Sequence, residues 1–179
     1  MSILKVSRLG HPVLRLESQR VSAKKLATPA IQKLIDDMME TMVEYHGVGL
    51  AAPQVHESLA IAVIESHGPR GDIPMTVIVN PDVTVLNEEM IEDWEGCLSI
   101  PDIRGRVPRA REIDVKAYDH KGRRITLRAR GFTARVIQHE TDHLDGVLFF
   151  DRMRSFETLT FLDEFGRYWN TRDRDVPEE

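Results

Sequence analysis

The residues best suited to chemistry form the sequence HETDH at positions 139–143. Residues four apart on a helix share one face, so His139 and His143 can present two imidazoles to a single metal ion. Glu140 lies one residue further round the helix, close to where such an ion would hold a water molecule. This spacing is typical of metal-dependent hydrolases, although it also arises by chance in roughly one or two chains per hundred.

A hydrolytic metal site needs a third protein ligand and one open position. No histidine follows His143, so the longer histidine motif of the metzincin proteases is absent. One candidate is a downstream carboxylate such as Asp163 or Glu164. The other is Cys97, the single cysteine of the chain, in the segment EGCLSIP at 95–101. A lone cysteine is more often buried apolar filling than a ligand, so the residues alone leave this choice open.

Helices are predicted where apolar residues recur with helical spacing. Thr28 and Pro29 are typical of a helix start, and the apolar stripe after them predicts an amphipathic helix that ends at Gly47. The HETDH motif lies in a second predicted helix, TARVIQHETDHLDG at 133–146. Apolar residues over 156–169 also keep helical spacing, which predicts a closing helix packed on the domain.

The strands are predicted from short β-branched runs and from alternation. Residues 59–65 and 75–80 are apolar and bounded by Gly and Pro, which favours buried strands. Polar and apolar residues alternate at 113–117 and 125–129 around the turn sequence DHKG, which predicts an antiparallel hairpin. Helices and antiparallel strands in this order predict an α+β fold.

Length and composition limit the classes of protein. The 179 residues fit one domain, 1–179, that ends in the closing helix and an acidic tail from about residue 152. The net charge of -5 excludes an overall positive field that would attract nucleic acid or anionic lipid. No signal peptide and no run of roughly 18 apolar residues is present, so we expect a cytoplasmic protein. A single cysteine excludes an intrachain disulfide.

One segment departs from the acidic balance. Residues 104–135 carry eleven Lys and Arg against three Asp and Glu, a local charge of +8. The arginines alternate with apolar residues in predicted strands. We therefore expect most of them to lie on a solvent-facing side rather than to form an RNA-binding surface.

Three segments together resemble the signatures of the peptide deformylase family: GVGLAAPQ at 47–54, EGCLSIP at 95–101 and QHETDHLDG at 138–146. Their order and spacing are also similar to that family, over roughly residues 5–152. The resemblance implies an α+β fold in which antiparallel sheets pack around a central helix that carries HExxH. It also implies a hydrolase that removes the formyl group from the N-terminal formylmethionine of newly synthesised proteins and releases formate.

The same resemblance implies a metal site and a catalytic residue. Cys97, His139 and His143 would bind one divalent metal ion, with a water as the fourth ligand, and Glu140 would act as catalytic acid and base. Two imidazoles and a thiolate suit Fe2+ and Zn2+ alike. The resemblance implies Fe2+ as the native ion, with Zn2+, Ni2+ and Co2+ as the other candidates.

Further positions match residues that the family uses on its substrate. Gln54 and the backbone N–H of Leu98 match donors to the oxyanion that forms during hydrolysis. Gly49, with its neighbour Val48, matches the backbone segment that holds the peptide as an added strand. Arg104 matches an arginine that contacts peptide ligands.

The implied partners are N-formylmethionyl nascent peptides, with no membrane and no sequence-specific nucleic acid. Some family members dock a basic C-terminal helix on the ribosome, whereas the tail here is acidic, so a transient ribosome contact is left open. Arg135 stands where many members place an apolar residue of the methionine pocket. We therefore expect a different far wall in that pocket.

Two other functions stay open on the residues alone. A zinc endopeptidase that uses HETDH and a downstream carboxylate would cleave internal peptide bonds. A non-enzymatic module that holds RNA or the ribosome through residues 104–135 would work without metal.

Overall fold

A computed structural model describes residues 2–170 of the chain. The α-helices of this part are α1 Ala23–Leu26, α2 Pro29–Glu44, α3 Gly131–Leu144, α4 Phe149–Arg152 and α5 Leu162–Glu164. Shorter helical turns are the 3-10 helices Pro12–Arg15 and Ala52–Val55 and the π-helical turn Phe165–Trp169. No helix within residues 2–170 is long and apolar enough to cross a membrane.

The strands of the described part form two antiparallel sheets. The larger sheet has the order β1-β2-β3-β6-β7, with strands β1 Gly49–Ala51, β2 Ile61–Ser66, β3 Ile73–Val85, β6 Glu112–Tyr118 and β7 Arg124–Arg130. The smaller sheet has the order β4-β5-β8, with strands β4 Met90–Cys97, β5 Ile100–Ala110 and β8 Thr160–Phe161. Strands β6 and β7 form the predicted hairpin, with Val115 opposite Leu127. The α+β prediction is confirmed.

The main apolar core lies between α2 and the larger sheet. Ile35, Met38 and Met42 lie on one face of α2 and are almost fully buried. They share a cluster with Leu50 of β1 and Ile61 of β2. The apolar stripe read from the sequence therefore faces the sheet, as its helical spacing requires.

Helix α3 carries HETDH and packs against strands of both sheets. Ala134 and Ile137 are buried in a second core cluster with Ile78 and Ile113 of the larger sheet. A small residue at 134 lets the helix approach the sheet closely. The expected central helix is therefore present, and its position between the sheets holds its two histidines inside the protein.

The end of α3 is set by Gly146. Its φ of 70° is in the left-handed region, and the N–H of Val147 donates to the carbonyl of Asp142. This is the Schellman arrangement, in which glycine is favoured because it lacks a Cβ. A Cβ at Gly146 would also lie 2.7 Å from the backbone of Arg15. The glycine thus ends the helix and lets the N-terminal segment pack against it.

The C-terminal segment differs from the closing helix predicted over 156–169. Thr160 and Phe161 form β8 beside β5, and helical backbone begins only at Leu162. Thr and Phe favour extended backbone, and the open edge of β5 offers hydrogen-bonding partners that a helix cannot use. The acidic end of the tail, 171–179, lies outside the described residues.

Replacing Met42 with Ala tests the core between α2 and the larger sheet. The side chain is 0% exposed, so we expect the substitution to lower the free energy of unfolding by about 2–5 kcal/mol through lost burial and a new cavity. Urea denaturation measures this change. Val43→Ala is the control, because Val43 is 54% exposed and its loss should cost about 0.5 kcal/mol or less. Equal effects of the two substitutions would contradict this packing.

Candidate active site

Three metal-ligating side chains converge where the end of β4 meets α3. Cys97 is the last residue of β4, and His139 and His143 lie one turn apart on α3. Their ligand atoms all lie within 4.8 Å of one another, and Cys97 Sγ is 3.2 Å from His143 Nε2. All three side chains are buried. A thiolate and two imidazoles in this proximity fit a divalent transition metal such as Fe2+ or Zn2+.

The surroundings favour the form of Cys97 that binds a metal. Burial disfavours the thiolate, but the charge of His143 and a hydrogen bond from His139 outweigh burial and hold the pKa of the Cys97 thiol well below its usual value. Only the deprotonated thiol is a good ligand. The cysteine is therefore prepared for coordination by its two histidine neighbours.

His139 is oriented by a carboxylate behind it. Its Nδ1 lies 2.8 Å from Oε2 of Glu95, which leaves Nε2 to face Cys97 and His143. Burial would raise the pKa of the Glu95 carboxyl, but hydrogen bonds from His139 and Arg109 outweigh burial and keep that pKa far below its usual range. Glu95 is therefore an anion, and an anion at Nδ1 fixes the imidazole tautomer in which Nε2 is the ligand atom.

Further buried charges compensate Glu95. Arg109 donates to both of its carboxylate oxygens, over 2.9 and 3.0 Å, and also pairs with Asp142 of α3. Asp142 in turn accepts from Arg152 of α4 over 2.8 Å. Arg135 donates to Glu95 over 2.7 Å. We call these side chains, with Glu95 itself, the Glu95 network; it connects β4, β5, α3 and α4.

Arg135 lines the cleft, and its guanidinium forms hydrogen bonds with strands of the smaller sheet. Besides Glu95, the guanidinium donates to the carbonyls of Ile91 and Val107, over 2.6 and 2.8 Å. The side chain is only 5% exposed. The charge of Arg135 is therefore compensated within the protein by Glu95 and by backbone carbonyls.

Glu140 lies against the backbone of Gly49, the first residue of β1. A Cβ at Gly49 would be 2.2 Å from Glu140 Oε1, so only glycine fits beside this carboxylate. The other oxygen, Oε2, is buried and has no hydrogen-bond partner within residues 2–170. Burial raises the pKa of Glu140 to about 7, although the charges of His139 and His143 oppose that rise. The carboxylate thus has an unused oxygen beside the ligand cluster.

The side-chain amide of Gln54 is held in one orientation. Its Oε1 accepts from the N–H of Ala51 over 2.8 Å, so Nε2 must point the other way. Nε2 lies 3.4 Å from Cys97 Sγ and 3.3 Å from Ser99 Oγ. Gln54 is 1% exposed. A fixed donor on the 3-10 helix Ala52–Val55 therefore points at the ligand cluster.

The remaining sequence-predicted residues lie around a cleft of about 1110 Å3 that opens onto this cluster. Gly49 begins β1, an edge strand of the larger sheet, Val48 directly precedes it, and both line one side of the cleft. Leu98 lies in the tight turn between β4 and β5. Arg104 lies over Gly96, so close that a Cβ there would be 2.1 Å from its guanidinium. Eight of the nine predicted site residues thus line one cleft, and the ninth, His143, is buried against Cys97 with Nε2 3.2 Å from Sγ.

The alternative carboxylate ligands lie elsewhere. Asp163 is exposed, and Glu164 forms a surface ion pair with Arg167 over 3.0 Å. Within residues 2–170, the side chain whose ligand atom clusters with those of His139 and His143 is Cys97. Neither Asp163 nor Glu164, the downstream carboxylates that the zinc endopeptidase hypothesis requires, is therefore at the site.

The Glu95 network was missed by sequence reasoning. Arg109 and Arg135 were counted among arginines expected mostly on solvent-facing sides, yet both are buried. Arg124, Arg128 and Arg130 on β7 are exposed, as expected. One signal was available, since Glu95 is the first residue of the segment EGCLSIP and lies an even number of positions from Cys97, on the same side of β4.

Comparisons with known proteins agree with this geometry. The family model described as polypeptide deformylase matches residues 3–158. Peptide deformylase 1 of Nitrosomonas europaea is 41% identical over 163 residues, which cover 88% of this chain and 92% of the relative. Peptide deformylase 1 of Bordetella pertussis is 42% identical over the same coverage.

Solved structures give the same result. The K3U-bound class I type b peptide deformylase of Acinetobacter baumannii superposes with a TM-score of 0.82 at 40% identity, covering 86% of this chain and 100% of that chain. The peptide deformylase of Thermotoga maritima has a TM-score of 0.79 at 36% identity, with coverage of 87% and 100%.

The fold and the site together define a hydrolase of the kind that uses a divalent metal ion. More specifically, the chain belongs to the polypeptide deformylase family. Members of this family are enzymes that remove the formyl group from the N-terminal formylmethionine of newly made proteins.

Replacing Glu95 with Gln tests the network behind His139. The variant keeps the shape of the side chain but leaves Arg135 without its carboxylate partner and Arg109 with Asp142 alone, so we expect a loss of about 3 kcal/mol in stability. Metal affinity should fall about 10- to 100-fold, because His139 loses its orienting partner. Urea denaturation and competition with a chelator measure the two effects.

The control for this substitution is Glu92→Gln on the same strand. Glu92 makes a longer pair with Arg106, at 3.7 Å, and is partly exposed, so its loss should cost about 1 kcal/mol or less. If Glu95→Gln bound metal as tightly as the parent, Glu95 would not be the residue that orients His139.

Replacing Gly49 with Ala tests the position of Glu140. The added methyl group would collide with Glu140 Oε1, and displacement of a catalytic group by about 1 Å is enough to lower kcat/KM roughly 100-fold. Formate release from a formylmethionyl peptide is the measurement. Gly68→Ala is the matched control, since no atom lies within 4 Å of a Cβ there. Unchanged activity of Gly49→Ala would show that the Glu140 carboxylate is not held where it acts.

Proposed function

We propose that Cys97, His139 and His143 hold one divalent metal ion in this deformylase and that Glu140, Gln54 and Leu98 carry out the hydrolysis of the formyl group. The observation that carries the proposal is the convergence of the unpaired Glu140 oxygen, the fixed Gln54 amide and three ligand atoms at the bottom of one cleft. We further propose Fe2+ as the native ion, with Zn2+, Ni2+ or Co2+ able to replace it.

The metal, when bound, lowers the pKa of a water molecule and polarises the formyl oxygen. Glu140 then transfers the proton. Its Oε2 has no hydrogen-bond partner among residues 2–170, so it can accept a proton from the attacking water and return it to the nitrogen of methionine as the C–N bond breaks. One carboxylate thus acts as base and then as acid. The products are formate and a free amino terminus.

Gln54 and Leu98 stabilise the negative charge that develops on the formyl oxygen. The Gln54 amide is already oriented by Ala51, so no reorganisation is needed during the reaction. The backbone N–H of Leu98 follows Cys97 directly in the turn between β4 and β5. A preorganised donor of this kind contributes on the order of 3 kcal/mol to stabilising the transition state.

The substrate binds as an extended peptide along β1. This strand lies at the edge of the larger sheet, and Val48 and Gly49 line the cleft on that side. Backbone hydrogen bonding at a sheet edge recognises peptides with little dependence on their sequence. Arg104 contacts the peptide from the opposite side. Such binding suits an enzyme that must accept many different nascent chains.

Formate release from a short N-formylmethionyl peptide tests the function. The protein is purified without oxygen and supplied with Fe2+, and the N-acetyl form of the same peptide is the control. We expect metal-dependent release from the formyl peptide and none of acetate from its twin, because the larger acyl group is crowded at the site. Absence of formate release at one equivalent of bound metal would contradict the proposal.

Two substitutions separate the roles of metal binding and proton transfer. Glu140→Gln should retain the metal and lower kcat about 100- to 10,000-fold, since the variant has no group to carry the proton. Cys97→Ala should lose tight metal binding. Metal content after dialysis and formate release are measured for both, with Glu57→Gln on the surface as the control. Full turnover by Glu140→Gln would exclude its assigned role.

A further inference from the structure

A second, smaller cavity adjoins the cleft. It has a volume of about 280 Å3 and shares Asp93, Phe132 and Arg135 with the lining of the cleft. Gly131 at the start of α3 and Ile91 of β4 line it as well, so it lies where this helix meets the smaller sheet. None of the nine predicted site residues lines it. We call this cavity the annex.

The annex is lined mainly by positive charge. Within residues 2–170, its lining contains one carboxylate, that of Asp93, and four arginines, which are Arg70, Arg109, Arg111 and Arg135. Arg109 and Arg135 are only 4% and 5% exposed. A concave surface that carries an excess of one sign of charge attracts ions of the opposite sign. The lining of the annex therefore favours an anion.

The arginines keep unused hydrogen-bond donors, although carboxylates outside the annex pair with them. A guanidinium has five N–H groups. Arg109 uses three of them on Glu95 and Asp142. The Arg111 guanidinium makes one hydrogen bond within residues 2–170, to Glu89 over 2.6 Å. Both side chains can therefore donate further charge-assisted hydrogen bonds to the oxygens of an anion.

The start of α3 adds backbone donors to the same cavity. The N–H of Gly131 donates to the carbonyl of Arg111 over 2.9 Å, but Arg130 at the N-cap makes no capping hydrogen bond. The first turn of α3 also contains no acidic residue. Uncapped N–H groups and the positive end of the helix dipole favour an anion at this position. Because Gly131 and Phe132 line the annex, the helix end and the arginines border one space.

We propose that the annex binds a phosphate group, either as the free ion or as the end of a small phosphate ester. The cavity is much larger than the roughly 30 Å3 that one water molecule occupies in the liquid. A phosphate also offers more acceptor oxygens than a carboxylate, so it can engage several guanidiniums and the helix end together. This binding site does not depend on the deformylase function. A bound phosphate would stabilise α3, the helix that carries HETDH, from its N-terminal end.

The experiment is calorimetric titration with inorganic phosphate of the protein loaded with one equivalent of Zn2+. Sodium chloride keeps the ionic strength constant, because screening alone would otherwise change with phosphate concentration. We expect saturable binding of one phosphate. Arg111→Gln should weaken it about 10-fold through the loss of a charge-assisted contact. Since Arg111 does not line the cleft, this variant should release formate at the parent rate when phosphate is absent.

Arg128→Gln is the matched control for this substitution. Arg128 is an exposed arginine that pairs with Glu112 over 2.6 Å, as Arg111 pairs with Glu89, but it does not line the annex. Its loss should leave the phosphate affinity unchanged. Equal weakening by the two substitutions would show that phosphate senses only the overall charge of the protein, and the proposal would fail.

A pair of substitutions at Ile91 separates the charge of the annex from its shape. Ile91 lines the annex and does not line the cleft. Ile91→Glu places a carboxylate among the arginines and should weaken phosphate binding more than 10-fold, about the effect of losing one charge-assisted contact or more. Ile91→Gln, of the same size but neutral, should keep most of the affinity. Met90→Glu is the control, because Met90 is also exposed and adjacent on β4 but lies outside the annex.

Thermal unfolding gives a second readout that does not use activity. Phosphate should raise the Tm of the parent as its concentration rises, and should raise that of Ile91→Glu much less. The same scans show whether each variant is folded. Glycerol 3-phosphate distinguishes the two sources of the ligand: tighter binding than inorganic phosphate indicates an ester, and weaker or equal binding indicates the free ion.

Two results would overturn the proposal. One is the absence of saturable phosphate binding at constant ionic strength. The other is binding that Arg111→Gln and Ile91→Glu leave unchanged, since phosphate would then bind elsewhere, for example at the metal ion.

Discussion

The hydrogen bond between Glu95 and His139 is the interaction on which the site depends. It joins the imidazole of a proposed metal ligand to a buried anion, and a buried anion is tolerated only with compensating cations. Arg109 and Arg135 supply them, and Arg109 continues the network to Asp142 at the other end of α3. The smaller sheet and α3 can therefore pack together only when each of these buried charges meets its partner. The contacts that pack α3 against the smaller sheet therefore also hold the proposed ligands in place.

Around this rigid centre, recognition of the peptide uses a different kind of surface. The edge of β1 offers backbone groups, which serve any sequence, and the cleft beside it is wide enough for an extended chain. Glu140 connects the two regions, because its carboxylate rests on the backbone of Gly49, where the proposed peptide site begins. In the proposed mechanism, the proton carrier and the bound peptide thus share one wall.

The sequence was informative wherever periodicity or spacing carried the information. The helix with HETDH, the amphipathic helix from Pro29 and the hairpin of β6 and β7 follow from patterns that local backbone geometry enforces. Cys97, His139 and His143 were predicted together because the segments that hold them lie in a recognisable order, and their ligand atoms lie within 4.8 Å of one another. Arg109 and Arg135 could not be found this way, since a buried arginine and an exposed one occupy the same positions in an alternating pattern. Only tertiary contacts with Glu95 distinguish them.

In the C-terminal segment, by contrast, a clear sequence pattern led to a wrong prediction. Apolar residues over 156–169 have helical spacing, but pairing with β5 overrides it at Thr160 and Phe161. The free edge of a sheet is a property of the assembled fold and leaves no mark in the segment that will cover it. Trp94 and Trp169 are 75 positions apart in the chain, and nothing local to either residue indicates that they will meet.

The pairing of β4 with β5 has an evolutionary consequence. Glu95 pairs with Gly105 and Cys97 with Ile100. Strand β5 therefore makes an excursion here, because its residues 101–104 lie opposite the single residue Gly96 of β4. All of the extra length lies in residues 101–104, at the rim of the cleft. Insertions or deletions in this excursion would leave the spacing of Glu95 and Cys97 on β4 untouched. Selection can therefore reshape the entrance for new peptides while the metal centre is inherited unchanged.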